Sequence, residues 1–363
     1  MRSILRRGVR HVRGGHILLA ATLSLIAVAV PVRGEVTVEQ EFIFEQAPFA
    51  SCHASTICQL ADGTLLAAWF GGTDEGNPDV GIWLSRKPAG GRWSEPQEVA
   101  DGIQYRSPDG RVSRYPCWNP VLFVAAKGKV ILFYKCGPRP SSWWGMKTIS
   151  RDGGKTWSTP CRLPEGILGP VKNKPVRLAD GALLAGSSSE HRGWRVHFEI
   201  TRDRGRSWIR VGPINRGDKV SAIQPSILFH GDKLQALGRS RQGRLWSSWS
   251  EDGGLHWSPI ELLDVPNPNA GTDAVTLADG RQLLVYNPTT KGRTPLAVAI
   301  SLDGIHWEQI AVLENQPGEY SYPAVIQTSD GDVHITYTWK RKRIRHAVIP
   351  GESLPLAGKQ ADK

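Results

Sequence analysis

Four near-copies of one short pattern, S-x-D-x-G-x-x-W, pace this chain: SRDGGKTW from Ser150, TRDRGRSW from Thr201, SEDGGLHW from Ser250 and a one-residue-short SLDGIHW from Ser301. A looser relative, SRKPAGGRW, begins at Ser85. The closing tryptophans are 93, 157, 208, 257 and 307, giving steps of 64, 51, 49 and 50 residues. Unrelated loops do not keep such a step; a period near fifty requires a fold assembled from repeated units.

A second repeat runs ahead of the first: LADGTLLAAWF from Leu60, AKGKVILFYK from Ala126, LADGALLAGSS from Leu178, HGDKLQALGRS from His230, LADGRQLLVYN from Leu277 and SDGDVHITYTW from Ser329. Each joins a tight turn to a strand, which is a hairpin signature. The 39 Gly, 25 Pro and 14 Trp, with few long apolar periodic stretches, fit many short strands and tight turns. A four-stranded antiparallel unit repeated about every 40 to 50 residues is a propeller blade. Six hairpins therefore predict an all-β chain: a six-bladed β-propeller of four-stranded antiparallel blades over residues 35–350, followed by a tail at 351–363. The sixth unit lacks the S-x-D-x-G-x-x-W turn, and VTVEQEFIF, Val36 to Phe44, is expected to complete it, because pairing the two ends of the chain removes exposed strand edges.

Residues 1–34 read as a signal peptide: five arginines and no acid up to residue 16, then the apolar run Ile17 to Val30, short for a membrane span, with small residues before a cut after Ala29 or Gly34. Export to the periplasm or outside is expected, with no stable membrane insertion after cleavage; an uncleaved anchor is the alternative. Removal takes six of 45 Lys+Arg and no acid, so the formal charge falls from +11 to +5. The mature chain is only mildly basic. Its densest basic run, WKRKRIRH at Trp339 to His346, reads as a strand with one solvated face rather than a nucleic-acid patch, so no nucleic-acid partner is expected. The five cysteines, at 52, 58, 117, 136 and 161, have no zinc spacing, and neither a metal nor a cofactor is expected. Their pairing is left open.

S-x-D-x-G-x-x-W is the Asp box, or BNR repeat, and over nearly its whole mature length the chain resembles the sialidases and related propellers. The motif's own chemistry is structural: the aspartate accepts turn N–H groups, glycine takes positive φ, and tryptophan fills space against a neighbouring sheet. Asp152, Asp203, Asp252 and Asp303 are therefore read as architecture. In the family resembled, they lie on the edge away from the active site.

Pocket residues of a propeller should come once per blade, just before or after each hairpin. His53, Asp74 and Glu75 flank the first; Trp118 and Asn119 precede the second; Lys172, Asn173 and Lys174 precede the third, with Glu190 after it; Asp273 precedes the fifth. The resemblance assigns roles to some of these. His53, in CHAS, stands where sialidases carry the first of three carboxylate-binding arginines, and imidazole is a single donor where a guanidinium offers a fork. Asp74 or Glu75 matches the acid that protonates the leaving oxygen. Arg239 and Arg293 match the second and third arginines, with Arg241 a neighbour. Gln224 falls at the place of a base glutamate. Tyr320, with Tyr322 as alternate, matches the nucleophilic tyrosine, leaving Glu190 or His53 to act as its base. Lys174 is expected to face an anionic ligand.

The expected function is that of a carbohydrate-active protein with an acidic glycan as partner, foremost an exo-sialidase-like glycoside hydrolase. The alternatives are a lyase on uronic-acid polysaccharides, with His53 and Tyr320 dividing base and acid roles, and a non-catalytic carbohydrate-binding propeller.

Overall fold

The computed structural model describes residues 36–125, 128–203 and 205–355; the expected signal peptide and most of the expected tail lie outside them. These residues form six four-stranded antiparallel sheets, five of them running from an inner to an outer strand in chain order, plus one two-stranded hairpin. The inner strands are Ser51–Gln59, Cys117–Val124, Val176–Arg177, Ala222–His230, Asp273–Thr276 and Tyr320–Gln327. Blade six is closed from outside by Glu39–Phe42, which pairs with Arg343–Ile349 in the register Glu39 to Val348 and Phe42 to Arg345. The ring is thus shut by hydrogen bonds between the two ends of the propeller.

The two sequence repeats mark the same edge of the blades that carry them. In the first hairpin, Asp62 Oδ1 accepts the Thr64 N–H at 3.0 Å and Gly63 takes φ of 80°, a conformation glycine adopts without strain. In the Asp boxes, Asp152 Oδ1 accepts from Lys155 N and Thr156 N at 3.1 and 2.9 Å, while Ser150 Oγ accepts from Gly154 N at 2.7 Å. Asp203, Asp252 and Asp303 repeat this pattern. Each box also leans on the preceding blade. A Cβ at Gly304 would stand 2.0 Å from Gln235 Oε1, which is why a glycine is needed there, and Gln235 Nε2 donates to Gly304 O. Trp257 stacks on Phe198 at 3.9 Å and 8°. The boxes are clamps between blades.

The step of 64 residues has its own cause. Between blades one and two the chain inserts the hairpin Ile103–Arg106 with Val112–Arg114, and without it the spacing would match the others. The basic run WKRKRIRH is a hairpin rather than a single strand: Val333–Trp339 ends, Lys340 and Arg341 turn, and Arg343–Ile349 begins. Leu354, just beyond residue 350, is buried against the cluster of blades five and six.

Because the blades are antiparallel, first-to-second and third-to-fourth turns share one face of the disc. The second-to-third loops and the entries to the inner strands share the other. Every residue expected in the pocket lies on that second face or close below it.

Candidate functional site

At the inner-strand entries the chain repeats one local distortion. The pairing slips between His53 and Thr56, between Trp118 and Val121, between Ile223 and Ser226, and between Ser321 and Ala324. Inside these bulges Ala54, Asn119, Gln224 and Tyr322 take φ of 57°, 42°, 58° and 53°, and Lys172 takes 72° in blade three. Asn119, Gln224 and Tyr322 are each followed by proline, which has no N–H to lose where the ladder is broken. Bulges re-aim side chains, and non-glycine residues held at positive φ cluster at functional sites.

Tyr322 stands at the centre of what these bulges gather. Arg239 Nη2 donates to its Oη at 2.8 Å, the His53 ring lies 4.1 Å from its ring, and the Arg293 guanidinium sits 5.7 Å above it. Lys172 Nζ is 6.0 Å from the same ring and donates to Thr272 O at 2.6 Å and to Pro323 O. Arg239 also donates to Asn269 O at 3.0 Å and packs over Trp194, as does Arg241.

A third arginine comes from blade six. Arg341 donates from Nε to Glu319 Oε1 at 2.7 Å and from Nη1 to Glu75 Oε2 at 2.5 Å; Arg293 Nη1 reaches the same Glu319 oxygen at 2.6 Å and Ser321 Oγ at 3.3 Å. Glu319 thereby fixes two guanidiniums side by side, and they hold its carboxyl below the ordinary range against the opposing effect of burial. Lys340 and Arg341 occupy the two turn positions at φ of 52° and 59°. Hairpins usually fill such a pair with Asn-Gly, so a Lys-Arg pair carries backbone strain where Arg341 enters the cluster, while Lys340 lies over the Trp339 ring at 4.7 Å.

His53 is buried, and its Nδ1 lies 2.9 Å from Thr338 Oγ1. Burial first, then the charges of Arg341, Arg293, Arg239 and Lys172, push its pKa well below the usual histidine value. The imidazole is neutral at physiological pH, with Nε2 as the ring nitrogen not engaged by Thr338. Lys172 is likewise pushed down by burial, to about 7.

The other expected site residues are placed as follows. Asp74 and Glu75 lie in the exposed second-to-third loop of blade one, where Asp74 Oδ1 accepts the Glu75 N–H at 2.9 Å and Glu75 joins the cluster through Arg341. Gln224 is buried with Oε1 unpartnered, as are Arg239 Nε and Asn269 Oδ1, so hydrogen-bonding capacity remains unused around the axis. Asn119 is buried in the bulge of blade two. Glu190 lies in the second-to-third loop of blade three and accepts the Trp194 indole N–H at 3.0 Å. Burial raises its pKa, against the lowering influence of Arg239, Trp194 and Arg241.

Three expected residues stand apart from the cluster. Tyr320 is 1% exposed, its ring packed in the hydrophobic cluster of blades five and six with Leu277, Val285 and Val325. The strand's alternation sends it into the sheet interface, and the bulge brings Tyr322 to the centre instead. Asp273 is saturated one step below: it accepts from Ser226 Oγ at 2.8 Å, Ala274 N and Val325 N at 2.9 Å, and Lys174 Nζ at 2.8 Å. Lys174 is spent on that carboxylate and on Ala274 O, so the pair pins blades three to six together rather than presenting a free cation.

Sequence reasoning missed Arg341, Glu319 and Trp194. Applying the rule of one pocket residue after each hairpin to blade six would have pointed to Arg341. Among the described residues, no group of three or more His, Cys, Asp or Glu has the geometry to hold a metal ion, and no helix is long and apolar enough to cross a membrane. The five cysteines are all free; Cys117 and Cys136 stand directly opposite each other on adjacent strands.

Solved structures share this architecture at low identity. A protein of unknown function from Dyadobacter fermentans superposes with a TM-score of 0.70 at 18% identity, over 86% of this chain and 99% of that one. The intramolecular trans-sialidase of Ruminococcus gnavus, solved with oseltamivir carboxylate, gives 0.70 at 14%, over 87% and 98%. The NanB sialidase of Streptococcus pneumoniae gives 0.69 at 13%, over 86% and 71%. No curated protein sequence matches the chain significantly. The profile of the BNR repeat-like domain family matches residues 63–335, most of the six-bladed propeller. The chain is a member of that family and carries the sialidase-like fold.

Proposed function

We propose that this protein is an exported glycoside hydrolase that removes a terminal acidic sugar of the sialic type. The observation carrying this reading is the 2.8 Å hydrogen bond from Arg239 to the Tyr322 hydroxyl, inside a cluster that also holds Arg293 and Arg341. A sugar whose anomeric carbon bears a carboxylate needs cations for that group and a nucleophile that is not an anion, and a phenol among arginines meets both needs. Arg239, Arg293 and Arg341 bind the carboxylate. Tyr322 Oη bonds to the anomeric carbon as its proton leaves to a base, for which the neutral His53 is beside the ring.

The leaving oxygen needs a proton as its bond to the anomeric carbon breaks. Asp273 accepts from four donors, Glu319 and Glu75 are paired with arginines, and Asp74 is exposed. Glu190 accepts one indole N–H and burial raises its pKa above the usual carboxylate value, so it is the carboxyl best suited to give a proton to the leaving group and to take one from the water that later frees the sugar. The sialidases among the structural neighbours support this choice of substrate class. The N-terminal signal pattern supports action outside the cytoplasm.

A second reading rests on one observation. A neutral buried histidine beside a phenol and three arginines is also what a uronate lyase needs, the histidine taking the proton next to the carboxylate and the phenol protonating the leaving oxygen. Incubation of the purified protein with sialosides and with uronate-containing polysaccharides decides the matter. Free sialic acid is the expected product. An unsaturated product absorbing in the ultraviolet would replace the hydrolase with the lyase, and binding without turnover would refute both enzymes.

A further inference from the structure

Beside the axial cluster lies a cleft of about 190 Å³ between blades two and three, of which the chemistry above uses only Glu190. Its walls include Trp144, Arg162 and Glu165 from blade two and its exit, and Glu190, His191 and Arg210 from blade three. Trp144 is fixed from several sides: its Nε1 donates to Gln104 Oε1 at 3.2 Å, Tyr115 meets it edge-on at 5.3 Å, and the Arg162 guanidinium lies 4.7 Å from its ring centre. Gln104 belongs to the inserted hairpin between blades one and two, so that insertion braces one wall of the cleft.

Glu190 is the point of continuity. It lines the cleft, and the Trp194 ring that donates to it carries Arg239 on its face at 4.9 Å, with Arg239 in turn bonded to Tyr322. The electrostatics of the two spaces differ. The centre is dominated by cations, whereas in the cleft Arg162 and Arg210 are matched by Glu165 and Glu190. Pockets for drug-sized molecules run to roughly 300–1,000 Å³, so this cleft has room for one ring rather than a chain.

We propose that the cleft is the seat of the leaving group, binding one uncharged pyranose ring on the wall made by Trp144 and Arg162, with Glu190 at the junction between the two sugars. This deepens the hydrolase reading and rests on it. The ring's edges meet His191 and the charged side chains of the walls, and its less polar face meets the indole and the guanidinium plane, the usual division of a sugar between polar and aromatic partners.

The test compares kcat/KM for two substrates that share the acidic sugar, one linked to a hexose and one to methanol. The wild-type protein should prefer the hexoside. Trp144→Ala, and independently the surface change Arg162→Ala in case the first fails to fold, should each cut that preference about threefold to tenfold, the scale of one aromatic contact, and leave the methyl glycoside unchanged. Equal kcat/KM for the two substrates in the wild type, or a preference that survives both substitutions, overturns the cleft assignment while leaving the hydrolase intact. No turnover of either substrate by the wild type overturns the hydrolase reading and the cleft assignment with it.

Discussion

Arg341 provides the sharpest test of how the cationic centre is built, because its charge and its backbone geometry can be separated. Arg341→Asn removes the guanidinium but keeps a residue that tolerates the left-handed turn now held at φ of 59°. Two unit charges about 5 Å apart in a medium of effective dielectric constant about 20 attract by ~3 kcal/mol. The Arg341 side chain is 29% exposed, so solvent and salt screen a good part of this, leaving about 1.5 kcal/mol, or about tenfold in affinity. The fold should hardly notice. The ion pairs to Glu75 and Glu319 are partly exposed and worth at most about 1 kcal/mol each, and relief of turn strain offsets that loss. Calorimetric titration with a sialic-type monosaccharide and with its uncharged carboxamide reads the outcome. The acid should bind about tenfold more weakly to the variant, while the amide changes by less than twofold. An equal loss for both ligands would mean that Arg341 shapes the pocket without meeting the carboxylate, and no loss for either would remove it from the site.

Further expectations concern other parts of the molecule. Glu190→Gln should lower turnover of natural glycosides by two orders of magnitude or more, yet spare nitrophenyl glycosides, whose leaving group needs no proton. In the wild type, activity on natural glycosides should fall as pH rises through the elevated Glu190 pKa, and that limb should be missing from the variant's profile. Lys135 and Lys172, pushed by burial from the usual 10.5 to about 7, bind fewer protons folded than unfolded between those values, so each should make stability rise with pH across that window by up to ~1.4 kcal/mol per unit. Chemical denaturation of Lys172→Met at pH 7 and 9 should show a shallower rise than the wild type. Trp246→Ala, at a fully buried position, should cost about 3–5 kcal/mol and depress Tm visibly in a thermal scan.

The fold was legible because its rules are local. An Asp-Gly turn and an Asp box need only a handful of neighbouring residues, and their spacing counts blades without knowledge of any long-range contact. Even the closure by Glu39–Phe42 followed from the sixth unit's missing strand partner. The site was legible only in part because it is built where those rules are broken. Strict alternation along YSYPA puts Tyr320 and Tyr322 on one face of the strand, and only the slip between Ser321 and Ala324 separates them, burying one in the sheet interface and bringing the other to the axis. Lys174 and Asp273 were legible as charges near the axis but not as each other's partners, since 99 residues separate them. Arg341 was masked by composition: it is one of five cations from Lys340 to Arg345, and only its place just after the sixth hairpin marks it as the one that turns inward. Arg343 and Arg345 pack on Phe42 at the outer edge.

The position of a bound acidic sugar tests the role of the cationic centre most directly. A crystal structure with a bound, unreactive sialic-type analogue is predicted to show its carboxylate within hydrogen-bonding distance of Arg239, Arg293 and Arg341, with the anomeric carbon facing Tyr322 Oη. A ligand found elsewhere on the propeller, or a centre left empty at saturating concentration, would contradict it.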